Sequence, residues 1–114
     1  MGNDEALEAD KARQLVAANE VTVLDVRDDD DWHDKRIPGS RQVGEEDLAG
    51  AIEELEDDRS VLVVCQDGSR SAELVSKLRE DGHEAVCIDG GIDAWASEKF
   101  PVQPAPEADD EAEV

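Results

Sequence analysis

The chain has 114 residues, and its 32 acids against 11 bases give a formal net charge of −21. That length supports one domain with a single core. No apolar run reaches the ~18 residues of a membrane span, the N-terminus lacks a basic-then-apolar signal pattern, and no basic stripe is present to displace counterions from nucleic-acid phosphates.

Residues 1–6 read as a flexible end. Leu7 to Asn19 carries Ala9, Ala12, Leu15 and Val16 at helical spacing, with Asp10 as a cap or first-turn acid. Val21 to Val26 is β-branched and nearly continuous in apolarity, as a strand covered on both faces is. Asp28-Asp29-Asp30-Asp31 ahead of Trp32 suits the first turn of a short helix, because carboxylates favour the positive end of the helix dipole; a cation site is the weaker reading. Pro38-Gly39 marks a turn, and Arg41 to Val43 a short strand. Glu45 to Leu55 places Leu48, Ala49, Ile52 and Leu55 on one helix face, and Asp57-Asp58-Arg59 is a connector.

The apolar run Val61-Leu62-Val63-Val64 predicts a buried strand. A loop follows, then a helix carrying Ala72, Leu74, Val75 and Leu78 that runs through Arg79 and stops at Asp81-Gly82. Ala85 to Ile88 is the last strand, and Gly90-Gly91 turns into a helix containing Trp95. Residues 103–114 read as a disordered acidic tail, leaving 7–102 as the domain. Strand and helix patterns alternate, which predicts an α/β sandwich on a mainly parallel sheet. Ligands of such sheets bind beyond the carboxyl ends of the strands, and Asp25, Arg27 and Cys65 all fall at ends of that kind.

The loop Cys65-Gln66-Asp67-Gly68-Ser69-Arg70-Ser71 stands between a buried strand and a helix N-terminus. Backbone N–H groups and the positive dipole end converge there on the sulfur, an environment that favours thiolate over thiol. Gly68 permits the close turn, and Ser71 is placed to cap the helix. Asp25 and Arg27, two residues apart on one strand face, read as a buried ion pair rather than as catalytic groups. Trp32 and Trp95 read as core anchors, and Cys87, within an apolar run, as a small buried hydrophobe. His33 and His83 lack metal-ligand spacing, so no metal site is expected, and the absence of Cys-x-x-Cys argues against a thioredoxin-like redox role.

The loop resembles the Cys-x-x-Gly-x-Arg-Ser active-site loop of rhodanese-like domains. Leu24-Asp25-Val26-Arg27 resembles that family's Asp-Val-Arg strand end, and Trp32 fills its aromatic position. Ile37-Pro38-Gly39-Ser40 is similar to its Ile-Pro-Gly-Ala turn, and Asp89-Gly90-Gly91 through Ala94-Trp95 to its closing Gly-Gly-x-x-x-Trp segment. The four motifs stand in family order from about Leu7 to Val102. The resemblance implies the rhodanese-like three-layer sandwich, a five-stranded mainly parallel sheet flanked by helices. It also implies a sulfurtransferase in which Cys65 takes a sulfane sulfur as a persulfide and passes it to a thiol or other nucleophilic acceptor. No cofactor is implied. The donor is a small sulfur compound such as thiosulfate or a persulfide-carrying protein, and the expected molecule is a cytoplasmic monomer with no nucleic-acid or membrane partner.

Four residues separate Cys65 from Arg70. The related cysteine phosphatases use a loop one residue longer, whose wider ring of N–H donors accommodates a tetrahedral oxyanion; the shorter ring suits a single outer sulfur. Gln66 to Ser71 are the expected substrate-binding residues, and Arg70 is either a substrate-anion clamp or the partner of a structural carboxylate such as Asp25. Two departures from the family pattern matter. Lys35-Arg36 replaces the usual Gly-His, putting a permanent cation, Arg36, where a titratable ring is common. Asp67 adds a negative charge that leaves the loop about neutral with Arg70, which makes thiosulfate a poor donor. The alternative reading is a binding, regulatory or sulfur-relay module of the same fold that serves one protein partner without turning over small donors.

The net charge far exceeds the magnitude of about 2–8 that keeps a small domain soluble. Such self-repulsion weakens a compact state at low ionic strength, whereas at 1 M salt screening acts within about 3 Å. The composition therefore fits a salt-accumulating cytoplasm. The thermal midpoint should rise steeply from low salt to 2 M potassium chloride in a calorimetric series; an unchanged midpoint would remove the halophilic reading.

Overall fold

A computed structural model describes residues 5–55 and 60–103. The predicted tail from Pro104 onward, the Asp57-Asp58-Arg59 connector and residues 1–4 lie outside the described residues. In chain order the elements are β1 (Ala6–Leu7), α1 (Ala9–Ala17), β2 (Val21–Asp25), α2 (Asp29–Asp34) and β3 (Arg41–Gln42). After a 3₁₀ turn (Glu45–Asp47) come α3 (Leu48–Glu53), β4 (Ser60–Val64), α4 (Ser69–Glu80), β5 (Ala85–Ile88) and α5 (Gly91–Ser97). Among the described residues the strands form one five-stranded sheet in the order β1-β5-β4-β2-β3, all pairs parallel. The α/β sandwich and its mainly parallel sheet are as the sequence pattern predicts.

Strand alternation explains why the central strands are apolar on both sides. Val61 and Val63 of β4 pack with Leu48, Val75 and Leu78 of α3 and α4, together with Ala85 and Cys87 of β5. Leu62 and Val64 point the opposite way, into a cluster with Ala9, Ala12, Ile92 and Trp95 of α1 and α5. Burying one Val or Leu side chain is worth about 1.5–3 kcal/mol, and β4 places four such residues in the core. Among the described residues no helix is long and apolar enough to cross a membrane.

Several expectations need correction. Ala6, placed in the flexible end, and Leu7, placed at a helix start, form β1; Cys87 N–H donates to Glu5 O and Asp89 N–H to Leu7 O, both at 2.7 Å. Helix α1 therefore starts at Ala9, with Asp10 as a first-turn acid. The single helix expected over Glu45–Leu55 divides into the 3₁₀ turn and α3. Gln103, assigned to the tail, exchanges both backbone hydrogen bonds with Arg36 at 2.8 and 3.0 Å. Trp95 is a core anchor at 1% exposure, but Trp32 is only half-buried. The first-turn reading of the aspartate run holds: Asp28 caps α2 by accepting from Asp31 N–H at 3.2 Å.

The contact that positions the loop after β4 is made by α5. Its first-turn amides, Ile92 N–H and Asp93 N–H, donate to the carbonyls of Cys65 and Gln66, each at 3.0 Å. This close approach needs glycine on both sides. A Cβ on Gly91, at φ +63°, would sit 2.6 Å from Cys65 O, Gln66 O and Gly68 N; one on Gly68, at φ +92°, would sit 2.8 Å from Gly90 N. Each obstacle is backbone that cannot step aside. Gly91→Ala should therefore destabilise the fold by about 2–4 kcal/mol in urea titration. Gly50→Ala, in α3 with nothing within 4 Å of the added methyl, should instead stabilise it by about 0.5–1 kcal/mol. Equal effects of the two substitutions would contradict this packing account.

Candidate active site

Cys65, 5% exposed as a residue, follows the last residue of β4, and its sulfur lies against the first turn of α4. Sγ accepts the backbone N–H of Gly68 at 3.1 Å and that of Ser71 at 3.2 Å. Ser71 Oγ is 3.2 Å from the same sulfur. With a thiol, Cys65 donates to that hydroxyl, and Ser71 Oγ–H donates to Gly68 O at 3.3 Å. When the sulfur is a thiolate, rotation of the hydroxyl supplies a third donor. Residues 65, 68 and 71 thus close a collar of one acceptor and three donors at the N-terminus of a 12-residue helix, where the dipole favours negative charge.

The remaining loop residues are not equivalent. Ser71, expected as a helix cap, lies inside the first turn and is fully buried; Gly68, at φ +92°, takes the cap position. Asp67 accepts from Ser69 N–H at 3.0 Å and from Ser69 Oγ–H at 2.8 Å. These two bonds hold its carboxyl below the usual range, so the negative charge persists at neutral pH. Gln66 Nε2–H donates to Asp93 Oδ1 of α5 at 2.6 Å, and Gln66 Oε1 lies 3.5 Å from Arg27 Nη1.

Arg70 does not reach Asp25. Its Nε–H donates to Glu45 Oε2 at 2.9 Å and its Nη1–H to Glu73 Oε1 at 2.7 Å, with Nη2 on Glu45 Oε1. Hydrogen bonds from the guanidinium lower the Glu45 carboxyl from its ordinary value and raise Arg70 further above its own. The carboxylate that was a candidate for Arg70 is instead held by Arg27. Arg27 Nη2–H donates to Asp25 Oδ2 at 2.8 Å and Nε–H to Oδ1 at 3.0 Å, and Arg27 N–H also donates to Oδ1 at 2.9 Å. Both residues are buried, Asp25 completely, as the strand-face spacing predicts. Arg27 Nη2–H also donates to Lys35 O, tying β2 and the segment after α2 to the loop. Arg36 lies over the Trp32 ring, its guanidinium carbon 4.1 Å from the ring centroid, and Trp32 Nε1–H donates to Ser40 Oγ at 3.2 Å.

Glu73 lies three residues beyond Arg70 on one helix, a spacing that signals an ion pair in the sequence itself. Glu45 is 25 positions upstream of Arg70, and Asp93 is 27 beyond Gln66; no local pattern points to either. Cys87 sits in the core with burial pushing its thiol up, partly offset by a hydrogen bond with Ser71, which agrees with the structural reading of that cysteine.

The chain as a whole is similar to known proteins. The profile of the family described as Rhodanese-like domain matches residues 8–98. The chain is 31% identical over 96 residues to the thiosulfate sulfurtransferase GlpE of Shewanella oneidensis, spanning 83% of this chain and 95% of that protein. It is 34% identical over 83 residues to the thiosulfate sulfurtransferase GlpE of Pseudoalteromonas translucida, spanning 72% and 79% respectively. The crystal structure of a rhodanese-related protein from Thermoplasma volcanium superposes with a TM-score of 0.76 at 30% identity, covering 87% of this chain and 97% of that one. With a cysteine loop of family length, its motifs in family order and a profile match over most of its length, the chain belongs to the rhodanese-like domain family.

Proposed function

We propose that this protein is a sulfurtransferase that carries a sulfane sulfur on Cys65. The observation that carries the reading is the pair of main-chain N–H groups, from Gly68 and Ser71, donating to Sγ at 3.1 and 3.2 Å. Relatives named as sulfurtransferases at about 30% identity support the same class of reaction.

In the first half-reaction the Cys65 thiolate attacks the outer sulfur of a donor R–S–S⁻. A new S–S bond forms at Cys65, the donor S–S bond breaks, and R–S⁻ departs with the electron pair. In the second, an acceptor thiolate attacks the outer sulfur of the Cys65 persulfide and returns Cys65 as thiolate. Charge is conserved in each half and no external oxidant or reductant takes part. The role of the loop is electrostatic: donors fixed by the fold stabilise the sulfur anion without reorganising during the transfer. The Ser71 hydroxyl adds a donor that turns toward the sulfur as negative charge appears there. Asp25 and Arg27 act on position rather than on the reacting atoms, since Arg27 lies against the Gln66 side chain that α5 holds through Asp93.

Incubation with thiosulfate or inorganic polysulfide should add the mass of one sulfur atom to the intact protein, and the adduct should disappear in Cys65→Ala. Absence of the adduct with every donor would favour a partner-binding module instead. Ser71→Ala keeps its amide and loses only the hydroxyl. A hydrogen bond to a charged group is worth about 1.5–3 kcal/mol, so persulfide formation should slow by about 10–100-fold with little loss of stability. A rate within twofold of the unmodified protein would remove the hydroxyl from the mechanism.

A further inference from the structure

Arg70 is the one cation contributed by the loop itself, and both edges of its guanidinium are occupied. Glu45 takes Nε and Nη2 side by side, and Glu73 takes Nη1. The fork geometry that would seat a dianion is therefore already filled by a bidentate carboxylate. The Arg70 side chain remains about half exposed at 53%, so burial does not keep it from ligand; its two partners do. Asp67 stays ionised on Ser69, Asp93 stands against Gln66, and the Arg27 guanidinium is neutralised by Asp25.

We infer that Glu45 and Glu73 set donor specificity by withholding Arg70, so that the site discriminates against dianionic donors and favours persulfides that bring a single negative charge on a neutral or cationic carrier. The inference rests on the sulfurtransferase reading above and names the substrate class of that same site. Thiosulfate brings two negative charges to a thiolate and leaves as sulfite dianion. With Arg70 engaged, its sulfonate meets a guanidinium already held by two carboxylates, beside the ionised Asp67. An alkyl persulfide brings one charge, on the sulfur that Cys65 attacks, and no second anionic group. Glu45 and Glu73 touch Arg70 and not the reacting atoms, which makes them specificity-determining residues that act through another side chain.

The test compares the unmodified protein with the double variant Glu45→Gln/Glu73→Gln, which keeps the side-chain size and removes both charges. Persulfide loading of Cys65 is followed with thiosulfate and with the persulfide of N-acetylcysteine methyl ester, whose carrier is neutral. The variant should gain about tenfold in kcat/KM for thiosulfate, expressed mainly in KM, while the ester persulfide changes less than twofold. Adding Arg70→Met to the variant should abolish the gain. If the ester persulfide loads Cys65 in both proteins and thiosulfate kinetics are the same in both, the specificity inference is overturned while sulfur transfer stands. If neither donor loads Cys65 in either protein, the sulfurtransferase reading fails and takes the inference with it.

Discussion

The site depends on where two carbonyls point. A six-residue turn cannot aim its N–H groups inward unless its C=O groups find partners outside, because buried backbone polar groups must be paired. Here the partners are Ile92 N–H and Asp93 N–H at the start of α5, which receive the carbonyls of Cys65 and Gln66 at 3.0 Å. Those amides have no acceptor within their own helix, so they are free for this use. Two helix N-termini thus meet around one loop. That of α5 holds the outward carbonyls, and that of α4 presents inward amides to the sulfur. The glycines at 68 and 91 follow from this meeting, since a side chain at either would push one backbone off the other, whereas a Cβ on Gly90 would meet Ala94 of its own helix.

Once the loop is fixed, the buried ion pair explains how the sheet edge stays in register with it. Asp25 has no exposed surface, and its carboxylate accepts four hydrogen bonds from Arg27 alone, two of them from a shared Nε–H. A buried pair of this kind adds little net stability compared with apolar packing, but losing one partner strands the other charge in the core, at a cost of about 3–5 kcal/mol. The pair therefore fixes geometry more than it strengthens the fold. Arg27 spends its remaining donors on Lys35 O and toward Gln66, so the β2 end, the segment after α2 and the cysteine loop share one anchor.

What could be read from the sequence was whatever local pattern encodes. The four apolar residues of β4 announce a strand buried on both faces, the next residues announce a loop and a helix start, and the spacing of Asp25 and Arg27 announces a shared face. The misses are tertiary. β1 has two residues and joins the sheet through backbone hydrogen bonds that leave no hydrophobic period. Ser71 has the chemistry of a helix cap, but the left-handed turn at Gly68 starts the helix three residues earlier and moves Ser71 inward, beneath the sulfur. Trp32 resembles a core residue by type, yet no residue of α2 is buried and the ring instead carries Arg36. The carboxylates that hold Arg70 are tertiary for a related reason: that of Asp25 is claimed by its neighbour two residues away, while Glu45 arrives from the far side of β4 in sequence.

The use of main-chain donors resolves a conflict between charge and chemistry. A chain with net charge −21 makes a poor general environment for a further anion. Side-chain cations could offset that field locally, but an exposed guanidinium among carboxylates pairs with them, as Arg70 does, and its reach is screened by salt. Amide dipoles carry no net charge, cannot be captured by a surface carboxylate once they face inward, and act over the 3.1–3.2 Å that separates them from Sγ. Their effect is short-range and buried, so it is indifferent to the acidic surface around it. The surface can accumulate carboxylates without dismantling the collar, provided that the glycines keep α5 seated on the loop.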